Sequence, residues 1–375
     1  MELEASLDWL SLSMTPGLGS RLVGKLLRQF GSPAGIFRAS LTELEACRLP
    51  AAPAQAIRSR NAHREAEAEL ARVREVGCRL LNWDEPEYPQ RLLEIYDPPP
   101  LLYVRGDVSV LNRHSISMVG TRRPTPYGNQ VAERLGRDLA ERGLTIVSGM
   151  ARGIDSSAHQ GACKASHGAV VGVLGTGVDV IYPKENKKLF GEVEKRGALI
   201  SEFPIGTHPA PENFPIRNRV VAGMSLGVVV VQGAQYSGSL ITARLGMEFG
   251  REVYGVPGSI TADVSFAPNQ LIKQGAKLVT SWEDVIEELP TEIRAELFPV
   301  EETTGEQRAS LFVEALSPLE KKVFGLLSVD ESIHVDEVVE KSELTSSEVL
   351  AALCEMEMKG IVRQMPGKQF IKILL

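Results

Sequence analysis

The stretch Ser148-Gly149-Met150-Ala151-Arg152-Gly153-Ile154-Asp155 follows an apolar run, Leu144-Thr145-Ile146-Val147, and precedes a helix-length segment, 156–165. The run reads as a buried strand. Two glycines and two small residues therefore stand where a strand turns into a helix. Such a turn leaves backbone N–H groups unpaired at the positive end of a helix dipole, which is a seat for phosphate. Arg152 adds a fixed cation that can hold a phosphate through two hydrogen bonds. One glycine-rich turn carries little weight, so the neighbouring strands decide what it means.

Those neighbours repeat the pattern. Apolar runs predict strands at 115–119, 144–147, 169–174, 198–201, 226–231, 252–256 and 277–279. Amphipathic segments of helix length, 127–142, 154–165, 185–196, 214–223, 238–249 and 267–274, lie between most of them, and a helix over 281–289 closes the region. This alternation predicts an α/β fold, a Rossmann-like, mostly parallel sheet covered on both faces. Ligands of such sheets bind outside the carboxyl ends of the strands. Four turns gather there: Gly120-Thr121-Arg122, the 148–153 stretch, Gly175-Thr176-Gly177 and Ser237-Gly238-Ser239. Each alone is equally well a structural turn. Together, with Arg122, Arg123 and Arg152 among them, they predict a nucleotide or polyanion site that takes in Ser148, Gly149 and Gly153.

More cations flank the same edge. Lys184 follows Tyr182-Pro183, and Arg217, Asn218 and Arg219 open a helix in Asn213-Phe214-Pro215-Ile216-Arg217-Asn218-Arg219. The plainer reading of the arginines is an exposed helix face. Phe214 and Tyr182 are either core aromatics or platforms for base stacking. The dinucleotide fingerprint GxGxxG and the phosphate loop GxxxxGK[ST] are both absent, which disfavours those cofactor and ATPase classes. Asp155 and His159 lie four apart on one helix, but His159 has no second carboxylate or metal ligand at useful spacing, so both read as scaffold. Glu202 is the remaining carboxylate at the ligand edge. It keeps open a second reading, a Rossmann-like nucleotide-processing hydrolase using Glu202.

The flanks differ from this middle, 78–290. Residues 1–77 read as a helical domain, with a Pro16-Gly17-Leu18-Gly19 turn and Ser20 as the cap of a helix over 21–30. The turn resembles a helix–hairpin–helix, a SAM-like arrangement; the alternative is a structural corner between small helices. Prolines 86, 89 and 98–100 predict an irregular entry to the sheet. Residues 291–316 read as a polar linker. From 317 to 375, helices at 319–327, 334–340 and 345–358 and a hairpin turning at Pro366-Gly367 predict a winged helix, its first helix opened by the capping pair Ser317 and Glu320.

Net charge is −7, yet its distribution leaves nucleic acid open. Residues 78–290 hold 22 Lys+Arg against 23 Asp+Glu, whereas 291–375 hold 9 against 16. A local basic groove is compatible with the neutral middle. The acidic tail disfavours DNA contact by the winged helix and suggests a protein-interaction or autoregulatory role, against the reading of a winged-helix regulator with the middle domain as sensor. Strand-sized apolar runs predict no membrane span. Four scattered cysteines, with no CxxC pair, predict reduced thiols in a cytoplasmic protein without a metal site.

The motifs taken together resemble the bacterial DNA-processing protein family DprA/Smf. The resemblance rests on Met118-Val119-Gly120-Thr121-Arg122, the 148–155 stretch, Gly175-Thr176-Gly177-Val178-Asp179 with Tyr182-Pro183, Glu202-Phe203-Pro204, 214–219, Ser237-Gly238-Ser239-Leu240-Ile241-Thr242-Ala243 and Val256-Pro257-Gly258. It covers about 110–280, and the helical front and winged-helix tail match one common arrangement of the family. It implies a protein that is not an enzyme and needs no cofactor. Such a protein binds and protects single-stranded DNA and loads the RecA recombinase during natural transformation (competence) and homologous recombination. It implies a homodimer built through the Rossmann-like domain, with 268–280 as the dimer-forming end and Ile272 and Leu278 as its apolar candidates. By similarity, Gly120-Thr121-Arg122 holds a backbone phosphate, and Arg152, Lys184, Arg217 and Arg219 line the groove. Gln232 stands where the family often has Glu, a departure to which no role attaches.

Overall fold

The computed structural model describes residues 3–298, 316–328, 332–359 and 361–373. The chain divides into two compact units, Met1–Leu297 and Phe298–Leu375.

The first unit opens with six helices: α1 (Leu3–Ser13), α2 (Ser20–Phe30), α3 (Pro33–Arg38), α4 (Leu41–Ala46), α5 (Ala51–Ser59) and α6 (His63–Val76). Ser32 and Ser40 cap α3 and α4, the latter with a reciprocal bond from the Ser40 N–H to Glu43 (2.7 Å). Ser20, read from sequence as a cap, instead begins α2; Gly19 precedes it and offers no side chain to the helix end.

The proline-rich entry holds more order than its composition suggests. It contains β1 (Arg79–Asn82), the short α7 (Gln90–Leu93) and β2 (Leu101–Gly106). Then come β3 (Ser115–Val119), α8 (Pro126–Glu141), β4 (Thr145–Ser148), α9 (Ile154–Ala162), β5 (Val170–Val173), α10 (Lys187–Arg196), β6 (Gly197–Ser201), α11 (Asn213–Gly223), β7 (Gly227–Val230), α12 (Gly238–Glu248), β8 (Glu252–Gly255), α13 (Phe266–Lys273), β9 (Lys277–Leu278), α14 (Trp282–Glu287) and α15 (Thr291–Leu297). All seven strands expected from 115 onward are present. Residues 291–297, assigned from sequence to the linker, are helical, and 299–315 of that linker lie outside the described residues.

One sheet runs β1-β2-β6-β5-β4-β3-β7-β8-β9. Strands β3 to β9 pair in parallel, and β1 and β2 add antiparallel ribbons at the β6 edge. Alternate side chains feed two cores, as the two-residue period requires. On one face Ile116, Met118 and Ile146 pack with Leu135 and Leu139 of α8; the buried Trp9, Leu10, Leu26 and Ile57 of the front helices belong to the same cluster. On the other, Val119, Val147, Val171 and Val228 pack with Val220, Leu240 and Ala243. The helical front and the sheet are therefore continuous across residue 77.

Strand β3 is the first of the parallel set, and the chain builds outward from it in both directions: β4, β5 and β6 to one side, β7, β8 and β9 to the other. The loops after β3 and β7 diverge at that point, which opens a crevice at the carboxyl ends of the strands.

The second unit has helices Pro318–Leu326, Val335–Ser342 and Ser346–Met358 and a three-stranded sheet of β10 (Ile333–His334), β11 (Val362–Met365) and β12 (Gln369–Lys372) in the order β10-β12-β11. Val323, Val338, Leu353, Met356 and Phe370 form its core. The β11–β12 turn contains Gly367 at φ +85°, where glycine is favoured. Strand β10 was not legible, because two residues show no period.

Candidate nucleic-acid interface

The β3 turn is fixed by its neighbours. A Cβ on Gly120 would stand 2.5 Å from Ile154 Cγ1 and 2.7 Å from Gln232 O, so only glycine fits. The Thr121 N–H donates to Gln232 O (2.7 Å), and the Ile154 N–H donates to Thr121 O (3.2 Å). Gln232 is buried at the end of β7. Its Oε1 accepts from the Thr125 N–H (3.0 Å) and its Nε2 donates to Thr125 Oγ1 (2.8 Å). Thr125 Oγ1 in turn caps α8 by accepting from the Gly128 N–H (3.2 Å). Gln232, to which the sequence reading attached no role, thus ties the two loops of the crevice together. Its isolated position among apolar residues gave no periodic signal.

The 148–153 turn departs from the sequence reading. Asp155 Oδ2 accepts from the N–H groups of Gly149 (3.1 Å) and Ala151 (3.4 Å), so these donors are spent inside the protein. The Ser148 hydroxyl donates to Met118 O (2.6 Å) between strands. Gly153 has φ +79°, and a Cβ there would overlap Thr121 O. Ser148, Gly149 and Gly153 are therefore scaffold that holds this turn against the β3 turn. Asp155 belongs to that scaffold; burial pushes its carboxyl up, and Arg217 beside it opposes the shift. His159 is fully buried, and burial pushes its imidazole down to about 4. It is neutral at neutral pH.

The arginines separate into distinct environments. Arg217, expected to line the groove or sit on an exposed helix face, is 4% exposed. Its Nη1 donates to Val173 O (2.7 Å), and its guanidinium fills the space left by the missing Cβ of Gly149. Burial pushes it down to about 10, with Asp155 opposing, so it remains a cation at neutral pH. It forms part of the cleft floor. Arg219 does not reach the cleft. It is buried in an ion pair with Glu202, and its Nη1 donates to Asp97 O (2.5 Å). Glu202 is thereby engaged away from the cleft, which removes the geometric basis for a hydrolase built on it. Arg152 is exposed and ion-paired with Glu185. Lys184 is exposed in the turn Lys184–Asn186 beside that pair, outside the cleft lining.

What remains is a cleft of about 1270 Å³ at the crevice between the β3 and β7 loops. Gly120 to Arg123 form one wall, Phe214, Arg217 and Asn218 the floor, and Ser237, Gly238 and Ser239 the opposite wall, with Lys273 beyond. Ser237 caps α12 by accepting from the Ser239 N–H (3.3 Å). Arg122 and Arg123 are exposed. The Arg122 guanidinium lies 5.1 Å from the Phe214 ring centroid, and that ring lies 5.7 Å from Tyr182 at 35°. A cation and two tilted rings thus pack together at the cleft, which the buried Arg217 also lines. The acids Asp155 and Asp263 also line the cleft, which leaves it cationic with Arg122, Arg123, Arg217 and Lys273.

Ile272 is half-buried against Gly255 of β8, and Leu278 is 43% exposed on the edge strand β9. Among the described residues no group of His, Cys, Asp and Glu is placed to hold a metal, and no helix is long and apolar enough to cross a membrane.

A doubly wound α/β domain with a cationic, aromatic-lined cleft at its switch point defines a class: proteins that bind nucleotides or polyanions at the strand ends. Residues 79–290 match the family model for DNA recombination-mediator protein A, and residues 309–368 match the DprA winged helix domain. The chain belongs to the DprA/Smf family. It is 46% identical over 222 residues to DNA processing protein DprA of Bacillus subtilis, covering 59% of this chain and 74% of that protein. The X-ray structure of DprA from Streptococcus pneumoniae superposes with a TM-score of 0.68 at 34% identity, over 77% of this chain and 99% of that one. A Helicobacter pylori structure, described for the single-stranded DNA binding mode of its DNA processing protein A, matches with a TM-score of 0.51 at 29% identity, over 56% and 96% of the two chains.

Proposed function

We propose that this chain binds single-stranded DNA in the cleft without reading its sequence, protects it, and loads the RecA recombinase onto it in natural transformation and recombination. The observation that supports this reading most is the Arg122–Phe214–Tyr182 cluster lining one cleft with the buried Arg217. Guanidinium groups hold phosphates, and ring faces hold unpaired bases. A duplex hides its base faces, so the arrangement favours a single strand. The chain acts as a cytoplasmic homodimer, with Ile272 and Leu278 in the contact. It performs no chemistry on the strand: Asp155 braces a turn and Glu202 is held by Arg219. The acidic winged helix serves protein contact or autoregulation rather than DNA. RecA loading is read as faster filament assembly on protein-coated strands; no acceleration by this protein would remove that part of the proposal.

The test is a binding titration on a single strand at several salt concentrations, with a duplex of equal length as comparator. Single-strand affinity should fall steeply with salt, and Arg122→Ala should reduce the log–log slope by about 0.7, the share of one phosphate contact on a single strand. A flat salt response, or full affinity in Arg122→Ala, contradicts the assignment. Duplex binding that survives Arg122→Ala would instead place DNA contact on the winged helix.

A further inference from the structure

The rim of the cleft carries apolar surface that the phosphate contacts leave unused. Tyr236 is 93% exposed and Ile260 is 95% exposed, and both stand at the mouth. Tyr236 also borders a second depression of about 610 Å³ between α12 and α13, which Ile241, Arg244 and Phe266 help to line. The tyrosine therefore stands on the divide between the two.

Its position is braced. The Gly233 N–H donates to Val264 O (2.6 Å), the Ala267 N–H donates to Gly233 O (2.8 Å), and the Ser237 N–H donates to Ala234 O (3.0 Å), closing a turn around Tyr236. Across the mouth, Asn269 holds the loop before Ile260 by donating to Gly258 O (3.0 Å) and accepting from the Gly258 N–H (3.1 Å). An exposed ring on a braced turn is an amphipathic surface whose backbone is already ordered when a partner arrives. Arg244, beyond the divide, is exposed and has no ion-pair partner among the described residues. A ring shared by two adjoining depressions, with a cation lining the second, offers a base platform and then a phosphate contact.

We propose that the strand held in the cleft leaves it across Tyr236, whose ring stacks on a base, and continues into the α12–α13 groove, where Arg244 takes a further phosphate. The proposal rests on the single-strand reading above. Stacking makes this exit tolerant of sequence, because every base has a π-face. The ionic contact makes it sensitive to salt. The two residues thus act by different physics and leave different signatures.

The experiment is fluorescence anisotropy of the full chain with an oligothymidylate length series, each at several salt concentrations. For the longer strands, Tyr236→Ala should weaken binding roughly 5- to 150-fold, as loss of one stacked base does, with the salt slope unchanged. Tyr236→Phe should bind as wild type. Arg244→Ala should lower the slope by about 0.7. On an abasic strand of the same length, wild type and Tyr236→Ala should bind alike. Unchanged affinity in Tyr236→Ala, or an equal loss on the abasic strand, overturns the stacking post; an unchanged slope in Arg244→Ala overturns the groove contact. In both cases a normal response of Arg122→Ala leaves the single-strand reading standing. No binding of any strand by wild type sinks that reading instead. Strand binding that is intact in both rim variants assigns the patch to a protein partner, against the proposal.

Discussion

Arg217 and Arg219 are two residues apart on α11 and meet opposite fates. Arg217 crosses the ends of β4 and β5 because Gly149 offers no Cβ to block it. Arg219 lies between two carboxylates, Asp97 and Glu202. One guanidinium facing two half-buried acids cannot compensate both fully, and desolvation pushes Glu202 up to about 7 and raises Asp97 as well. A carboxyl with a raised folded pKa binds its proton more tightly in the folded state. Its contribution is therefore most favourable below its ordinary pKa near 4.5 and declines as pH rises to about 7. Glu202→Gln should flatten the melting temperature between those limits, with a difference of at most about 3 kcal/mol across the window. Identical pH profiles for wild type and variant would show that the carboxyl is ionised throughout. Both guanidiniums were legible as cations at the ligand edge. Their burial was not, because it depends on a glycine and two acids distant in sequence.

At the scale of elements, the crevice is made by strand order, and its loops are locked to one another by few groups. Gln232 serves the β7 loop, the α8 cap and, through its backbone, the β3 turn. Gln232→Leu leaves the Thr125 N–H without its side-chain partner, and should cost about 1–3 kcal/mol in chemical denaturation. Strand affinity should fall with it, since Arg122 rides on the same turn. A stable variant with full affinity would show that the lock is redundant. The seven parallel strands and their helices were legible because runs of Val, Ile and Leu flanked by glycine turns have a strong period. Strands β1 and β2 were not: prolines between them suggested irregular chain, yet each pairs antiparallel at the sheet edge, where proline in the connection does no harm.

For the whole molecule, the front helices and the sheet share one core, whereas residues beyond 297 form a second compact unit. Edge strand β9 is the place where the sheet stops with Leu278 exposed. An exposed apolar edge is a site for association. If the proposed homodimer forms there, Leu278→Asp should yield a monomer by sedimentation velocity and weaken binding of long strands more than of short ones. A dimer that persists with Leu278→Asp and Ile272→Asp together would place the contact elsewhere.

The order of the parallel strands and their helices, the glycine turns and the family were written in the linear chain, because local period and short motifs need only neighbouring residues. Which of the small residues and cations face a ligand was decided by tertiary structure alone. The 148–155 stretch illustrates the division. Its strand, turn and helix follow from its own residues, but its amide donors go to Asp155, and its glycines make room for Arg217 and for the β3 turn. Packing at the strand ends leaves a cleft, and the turn at Gly120 to Arg123 forms one of its walls.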